Sequence, residues 1–107
     1  MNDAVDTIAA IATPPGRGGI GVIPISGPHT PAIAQGIIHP LPRPRHAVLS
    51  TFLDAEQQPI DEGIALYFPA PAAFTGEHVL ELQGHGGPVV LDLLLQETLR
   101  LGARLAR

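Results

Sequence analysis

The chain has 107 residues, a formal net charge of −4 and no cysteine, and its six basic residues are all arginine. Without lysine there is no phosphate-loop lysine, catalytic lysine or Schiff base, and without cysteine there is no disulfide or thiolate metal site. A broad basic face for nucleic acid is not expected either, because such binding draws on clustered cations.

One modest core is the expectation at this length. With 45% hydrophobic and 4% aromatic residues, that core is aliphatic. The N-terminal "MNDAVDTIAA" lacks the basic start and long apolar run of a signal peptide. Runs such as "VVLDLLL" are too short to cross a membrane. A soluble, cytoplasmic protein with no membrane contact is expected.

In chain order, "DTIAAIAT" (Asp6–Thr13) predicts a strand that ends at Pro14-Pro15. Gly16 to Gly19 predicts a loop, and Gly21–Ser26 a second strand closed by Gly27-Pro28. His29–Ile38 predicts a short helix with Pro31 in its first turn. The proline-rich "HPLPRPRH" reads as an extended connector. Ala47–Leu53 and Gly63–Phe68 predict a hairpin around the polar "DAEQQPIDE". His78–His85 alternates, with Leu80 and Leu82 on one face and Val79, Glu81 and Gln83 on the other.

The strongest helix signal is Pro88–Leu101, with proline at the start and Gly102 just past the end. Val90, Leu91, Leu94, Leu95 and Leu101 form its apolar face, opposite Asp92, Gln96 and Arg100. Val89 and Leu93 fall beside the polar stripe. They predict either a second packing surface or a helix buried on both sides. "ARLAR" predicts a last short strand. Strands and helices interleave without strict βαβ alternation. The fold class expected is therefore α+β, a mixed sheet with two helices packed on it.

Gly16, Gly18 and Gly21 spell G-x-G-x-x-G, the spacing of a dinucleotide loop. That fingerprint works only where the glycines open a helix toward a pyrophosphate. Here "VIPIS" follows, β-branched and interrupted by Pro24, so the motif is a tight strand-to-strand turn. It retains the capacity for an anion on backbone N–H groups beside Arg17. His29, His39, His46, His78 and His85 show no metal-ligand spacing, and a capping or packing role is expected for His85. Glu81 is the carboxylate of most interest. Either it faces solvent, or it looks into a pocket and accepts two parallel N–H bonds from an amidine-like ring edge. Pro24 removes a ladder hydrogen bond, which predicts an edge position, a bulge or a sequence variant.

The motifs "ATPPGRGG" and "FTGE-VLELQGHGG", with "LGARLAR", resemble the N-terminal domain of the bacterial tRNA modification GTPase family MnmE, also called TrmE. The resemblance runs from Asp6 to Arg107. It implies a fold similar to the folate-binding domain of aminomethyltransferase-type proteins. It implies binding of a one-carbon tetrahydrofolate, 5-formyl or 5,10-methylene, and formation of a homodimer through residues 1–107. It implies service, with the flavoprotein partner MnmG (GidA), in modifying the wobble uridine of tRNA, which this domain meets only indirectly. The family's helical and GTPase domains, with their GTP, Mg and K sites, are expected outside these residues, so the fragment alone is expected to be inactive. Glu81 matches the family glutamate that contacts folate. Pro24 stands where the family carries an arginine of the same contact set, and a further basic contact falls beyond Arg107. The resemblance thus also implies an alternative, a purely structural dimerisation module with an impaired folate pocket.

Overall fold

The structure is a computed structural model and describes residues 6–12, 21–70, 76–85 and 87–106. Its elements are β1 (Ile8–Ala9), β2 (Gly21–Ser26), α1 (Thr30–Ile37), β3 (Val48–Leu53), β4 (Pro59–Phe68), β5 (Val79–Gly84), α2 (Pro88–Arg100) and β6 (Arg104–Leu105). The strands form one six-stranded sheet in the order β3-β4-β5-β2-β1-β6. Every neighbouring pair is antiparallel except β1 and β6, which run parallel. The sheet is therefore mixed and the fold α+β, as the interleaving of elements predicts.

Both helices lie on one face. In β2, in β5 and in β4 from Gly63 onward every second residue is buried, the pattern of strands covered on one side only. Ile23, Ile25, Ala65, Leu80 and Leu82 supply that covered side and meet Ile33, Ala34 and Ile37 of α1 and Leu91, Leu94 and Leu95 of α2. Among the described residues, the core is aliphatic apart from Phe52 and Tyr67. At 0% exposure, Leu94 is central to it.

Two glycines are fixed by close approach. A β-carbon on Gly63 would stand 1.9 Å from the Gln83 carbonyl oxygen. Gly27 has φ 145°, and a β-carbon there would meet the Thr7 backbone at 2.5 Å. Thr7 is itself buried, and its Oγ1 accepts the His29 N–H at 2.9 Å, which ties the start of α1 to the strand β1.

The structure departs from the sequence expectations at two elements. The strand expected over Asp6–Thr13 pairs only at Ile8–Ala9 and at an isolated bridge from Ala12 to Val22 (Thr13 lies outside the described residues). The hairpin's second strand begins at Pro59 rather than Gly63. Asp54 closes a tighter turn than expected, its Oδ1 accepting N–H groups of Glu56 and Gln58 at 2.9 Å each. That frees Asp61 and Glu62 to join β4. Of the two readings open for α2, burial on both sides is not found within this chain, because Val89 and Leu93 are 73% and 52% exposed.

The expected edge or bulge position for Pro24 is also corrected. It lies in β2, an interior strand, paired with β5 throughout. Its tolerance has a local cause. The carbonyls of Thr7 and Ala9 accept N–H groups of Arg104 and Ala106, so their backbones face β6. Alternation then turns Ile8, Ala10 and Ala12 toward β2. The register Ile8–Ser26, Ala9–Ile25 and Ala12–Val22 sets Ala10 opposite Pro24. The proline has no N–H to offer Ala10, and β1 breaks at that position. On its β5 side, Pro24 costs nothing, because that side is served by Ile23 and Ile25.

Candidate functional site on the helix-free sheet face

The face opposite the helices carries the residues of interest. In the ladders, Leu66 pairs with Glu81, and Glu81 pairs with Pro24. A second row runs Leu49, Ile64, Gln83, Val22, and a third runs Phe68, Val79, Ser26, Ile8. Cross-strand partners point to the same side of a sheet, so these rows make one surface. Most of these side chains are half-buried, and Leu49, at the edge, is 62% exposed.

Glu81 sits in the middle row with apolar Leu66 on one side and Pro24 on the other. Its Oε1 accepts a long hydrogen bond of 3.5 Å from Gln83 Nε2, two residues along the same strand. The carboxylate keeps most of its acceptor capacity for a donor placed over the sheet. Toward the end of the face, Ser26 Oγ donates to Glu77 Oε1 at 3.4 Å. Glu81 is half-buried on the helix-free face between apolar neighbours, a placement that both readings of it share.

His78 fixes the end of β5. Its Nδ1 accepts the Ala70 N–H at 3.2 Å, so the Tyr67 hydroxyl, 3.0 Å away, is the second donor to it. The Tyr67 and His78 rings stack with centroids 6.1 Å apart. Burial pushes the Tyr67 phenol above its ordinary range, since the charged form would be poorly solvated. The His78 carbonyl also accepts the Gly27 N–H at 3.0 Å and the Thr30 hydroxyl at 3.4 Å. Sequence reading left His78 unassigned. Its signal was available only through register, which sets Tyr67 opposite Leu80.

His85 does not cap α2, whose N-cap is Gly87 without a side-chain bond. Instead its N–H donates to Asp61 Oδ2 and its Nδ1 meets the Glu62 carbonyl, both at 2.8 Å. It therefore ties β5 to the polar start of β4. Gly21 opens a strand and not a helix, so the glycine spacing forms no dinucleotide fingerprint. Gly16, Gly18 and Arg17 lie outside the described residues. Among the described residues, no group of three His, Asp or Glu side chains could hold a metal ion. No helix among the described residues is long and apolar enough to cross a membrane.

Fold and site together define an α+β domain whose helices cover one sheet face and leave the other to a carboxylate set among apolar side chains. The chain belongs to the family described as GTP-binding protein TrmE N-terminus, whose model matches residues 7–107. It is similar to proteins named tRNA modification GTPase MnmE. That of Nitrosomonas europaea is 66% identical over 101 residues, 94% of this chain and 22% of the relative. That of Thiobacillus denitrificans is 65% identical over 101 residues, 94% of this chain and 23% of the relative. The Pseudomonas syringae pv. tomato protein is 60% identical over 107 residues, all of this chain and 24% of its own. The chain thus spans less than a quarter of the length of these curated relatives.

Proposed function

We propose that this domain binds a one-carbon tetrahydrofolate on its helix-free sheet face and pairs with a second copy, in service of tRNA wobble-uridine modification. Membership of the TrmE N-terminal family and the tRNA modification GTPases among its relatives support the setting. The observation that carries the ligand reading is Glu81. Its carboxylate is half-buried between Leu66 and Pro24 and spends only a weak bond on Gln83. A pterin presents an amidine-like edge, two parallel N–H donors, on a flat ring that suits an apolar floor. Glu81 would hold that edge, and Leu66, Ile64 and Val22 would meet the ring.

The fit is incomplete at Pro24. Where the family resemblance places an arginine, this chain has an uncharged ring without an N–H. That favours a second reading, in which the domain serves dimerisation alone and its folate pocket is weakened. GTP, Mg and K belong to a GTPase portion of a longer protein, and work with the flavoprotein MnmG on tRNA in the cytoplasm belongs to that longer protein as a whole. Calorimetric titration of Glu81→Gln against the parent chain with 5-formyltetrahydrofolate tests the ligand. Loss of heat in the variant is expected, and equal binding by both would contradict the assignment. Analytical sedimentation of the parent chain tests the pairing, with a dimer expected.

A further inference from the structure

The net charge of −4 is not spread evenly over the basic residues. Arg100 is paired with Glu97 at 2.8 Å and Arg104 with Asp6 at 2.6 Å. Arg17 and Arg107 lie outside the described residues. The two arginines left, Arg43 and Arg45, have no ion pair among the described residues. They stand two apart on one exposed turn between α1 and β3.

The turn is built to hold them. The Arg43 carbonyl accepts the His46 N–H at 3.1 Å, with Pro44 at the second position and Arg45 at the third. Pro44 presets the backbone, and Arg45 takes φ 64°, which a turn of this form demands and which favours glycine or asparagine. The Arg45 N–H is pinned to the Tyr67 carbonyl at 2.8 Å, fixing the turn to the end of β4. The His46 Nδ1 sits 3.0 Å from the Pro44 carbonyl, so that nitrogen carries a proton and donates to it. A sequence that needed only the shape would place glycine or asparagine at position 45. Instead a guanidinium is held in a strained conformation, in solvent, away from every described carboxylate partner.

We infer that the Arg43–His46 turn is a phosphate-contacting prong that meets the RNA backbone at two adjacent phosphates. The Cα atoms of Arg43 and Arg45 are at most about 7 Å apart along the backbone, and their long side chains have the reach for neighbouring phosphates on one strand. A net-negative chain without lysine has no broad field for RNA, so the contact is local and strongly screened by salt. RNA is favoured over an acidic protein surface because the relatives carry tRNA modification in their names. The inference therefore rests on the reading that this domain serves a tRNA-modifying protein.

The test measures anisotropy of labelled tRNA with the 107-residue chain, from low to moderate salt. The variant is Arg43→Gln with Arg45→Asn, since asparagine accepts the left-handed backbone and leaves the fold intact. Arg100→Gln, which removes one charge from α2, is the control. The double variant is expected to lose about tenfold in affinity at low salt and to flatten the salt dependence by about two units of slope. The control is expected to stay within about twofold. No tRNA binding by the parent chain, equal loss in the control, or an unchanged double variant would overturn the inference. So would binding of poly-glutamate with the same dependence on Arg43 and Arg45 while tRNA binding stays unchanged. Folate titration on the same proteins separates the two readings. Failed folate binding with tRNA binding lost in the double variant refutes the folate site alone. Intact folate binding with tRNA unaffected refutes the prong alone.

Discussion

Pro24 and Glu81 are direct partners across the β2–β5 ladder, with side chains on the same helix-free face. One is a half-buried carboxylate between apolar side chains, and the other is the proline at which β1 breaks on its far side. A single position thus bears on both the sheet and the site.

The sheet consequence is separable. Pro24→Ala supplies an N–H opposite the Ala10 carbonyl, worth about 0.5–1.5 kcal/mol. It also frees the unfolded chain, which costs about 0.4–1 kcal/mol. Stability should move by less than about 1 kcal/mol. Hydrogen exchange is the decisive readout: the new amide at position 24 and that of Ala12 should both be protected. A fast-exchanging amide at position 24 would contradict the ladder geometry.

Gly63→Ala drives a β-carbon to within 1.9 Å of the Gln83 carbonyl oxygen. The contact is with backbone, so β4 and β5 must separate. A loss of about 3 kcal/mol is expected in urea denaturation, the upper range for overpacking.

Neighbours on α2 should differ sharply. Leu94→Ala empties a fully buried site and should cost about 2–5 kcal/mol. Leu93→Ala, at a side chain 52% exposed, should fall within about 0.5 kcal/mol of the parent. Comparable losses at both would mean that α2 is covered on its outer side in solution.

Tyr67 gives a pH signature. Burial raises its pKa in the folded state, so the neutral phenol is favoured there. The unfolded phenol ionises first, near about pH 10. Its contribution is therefore complete below that pH and is lost as pH rises through the folded value. Tyr67→Phe should lose about 1 kcal/mol at neutral pH with the hydroxyl bond to His78. Above about pH 10 its stability should fall less steeply than the parent's.

Much of this was legible in the sequence. The alternation of "HVLELQGH" gave the faces of β5, and proline and glycine marked the limits of α2. What escaped was set by pairing. Nothing local shows that Leu66, Glu81 and Pro24 align, because register emerges only when three strands meet. The break in β1 is invisible for the same reason, as its cause lies in β2. Asp61 and Glu62 read as loop because they are charged. They are strand residues because a tight turn at Asp54 and a clamp on His85 extend the hairpin.

The most direct measurement is a three-way titration of 5-formyltetrahydrofolate into the parent chain, Pro24→Arg, and Pro24→Arg with Glu81→Ala. One charged contact is worth about 1.5–3 kcal/mol, so Pro24→Arg should bind at least about tenfold more tightly than the parent. Adding Glu81→Ala should abolish that binding. Undiminished affinity in the double variant would contradict the account, because the ligand would then not be held by the carboxylate opposite residue 24.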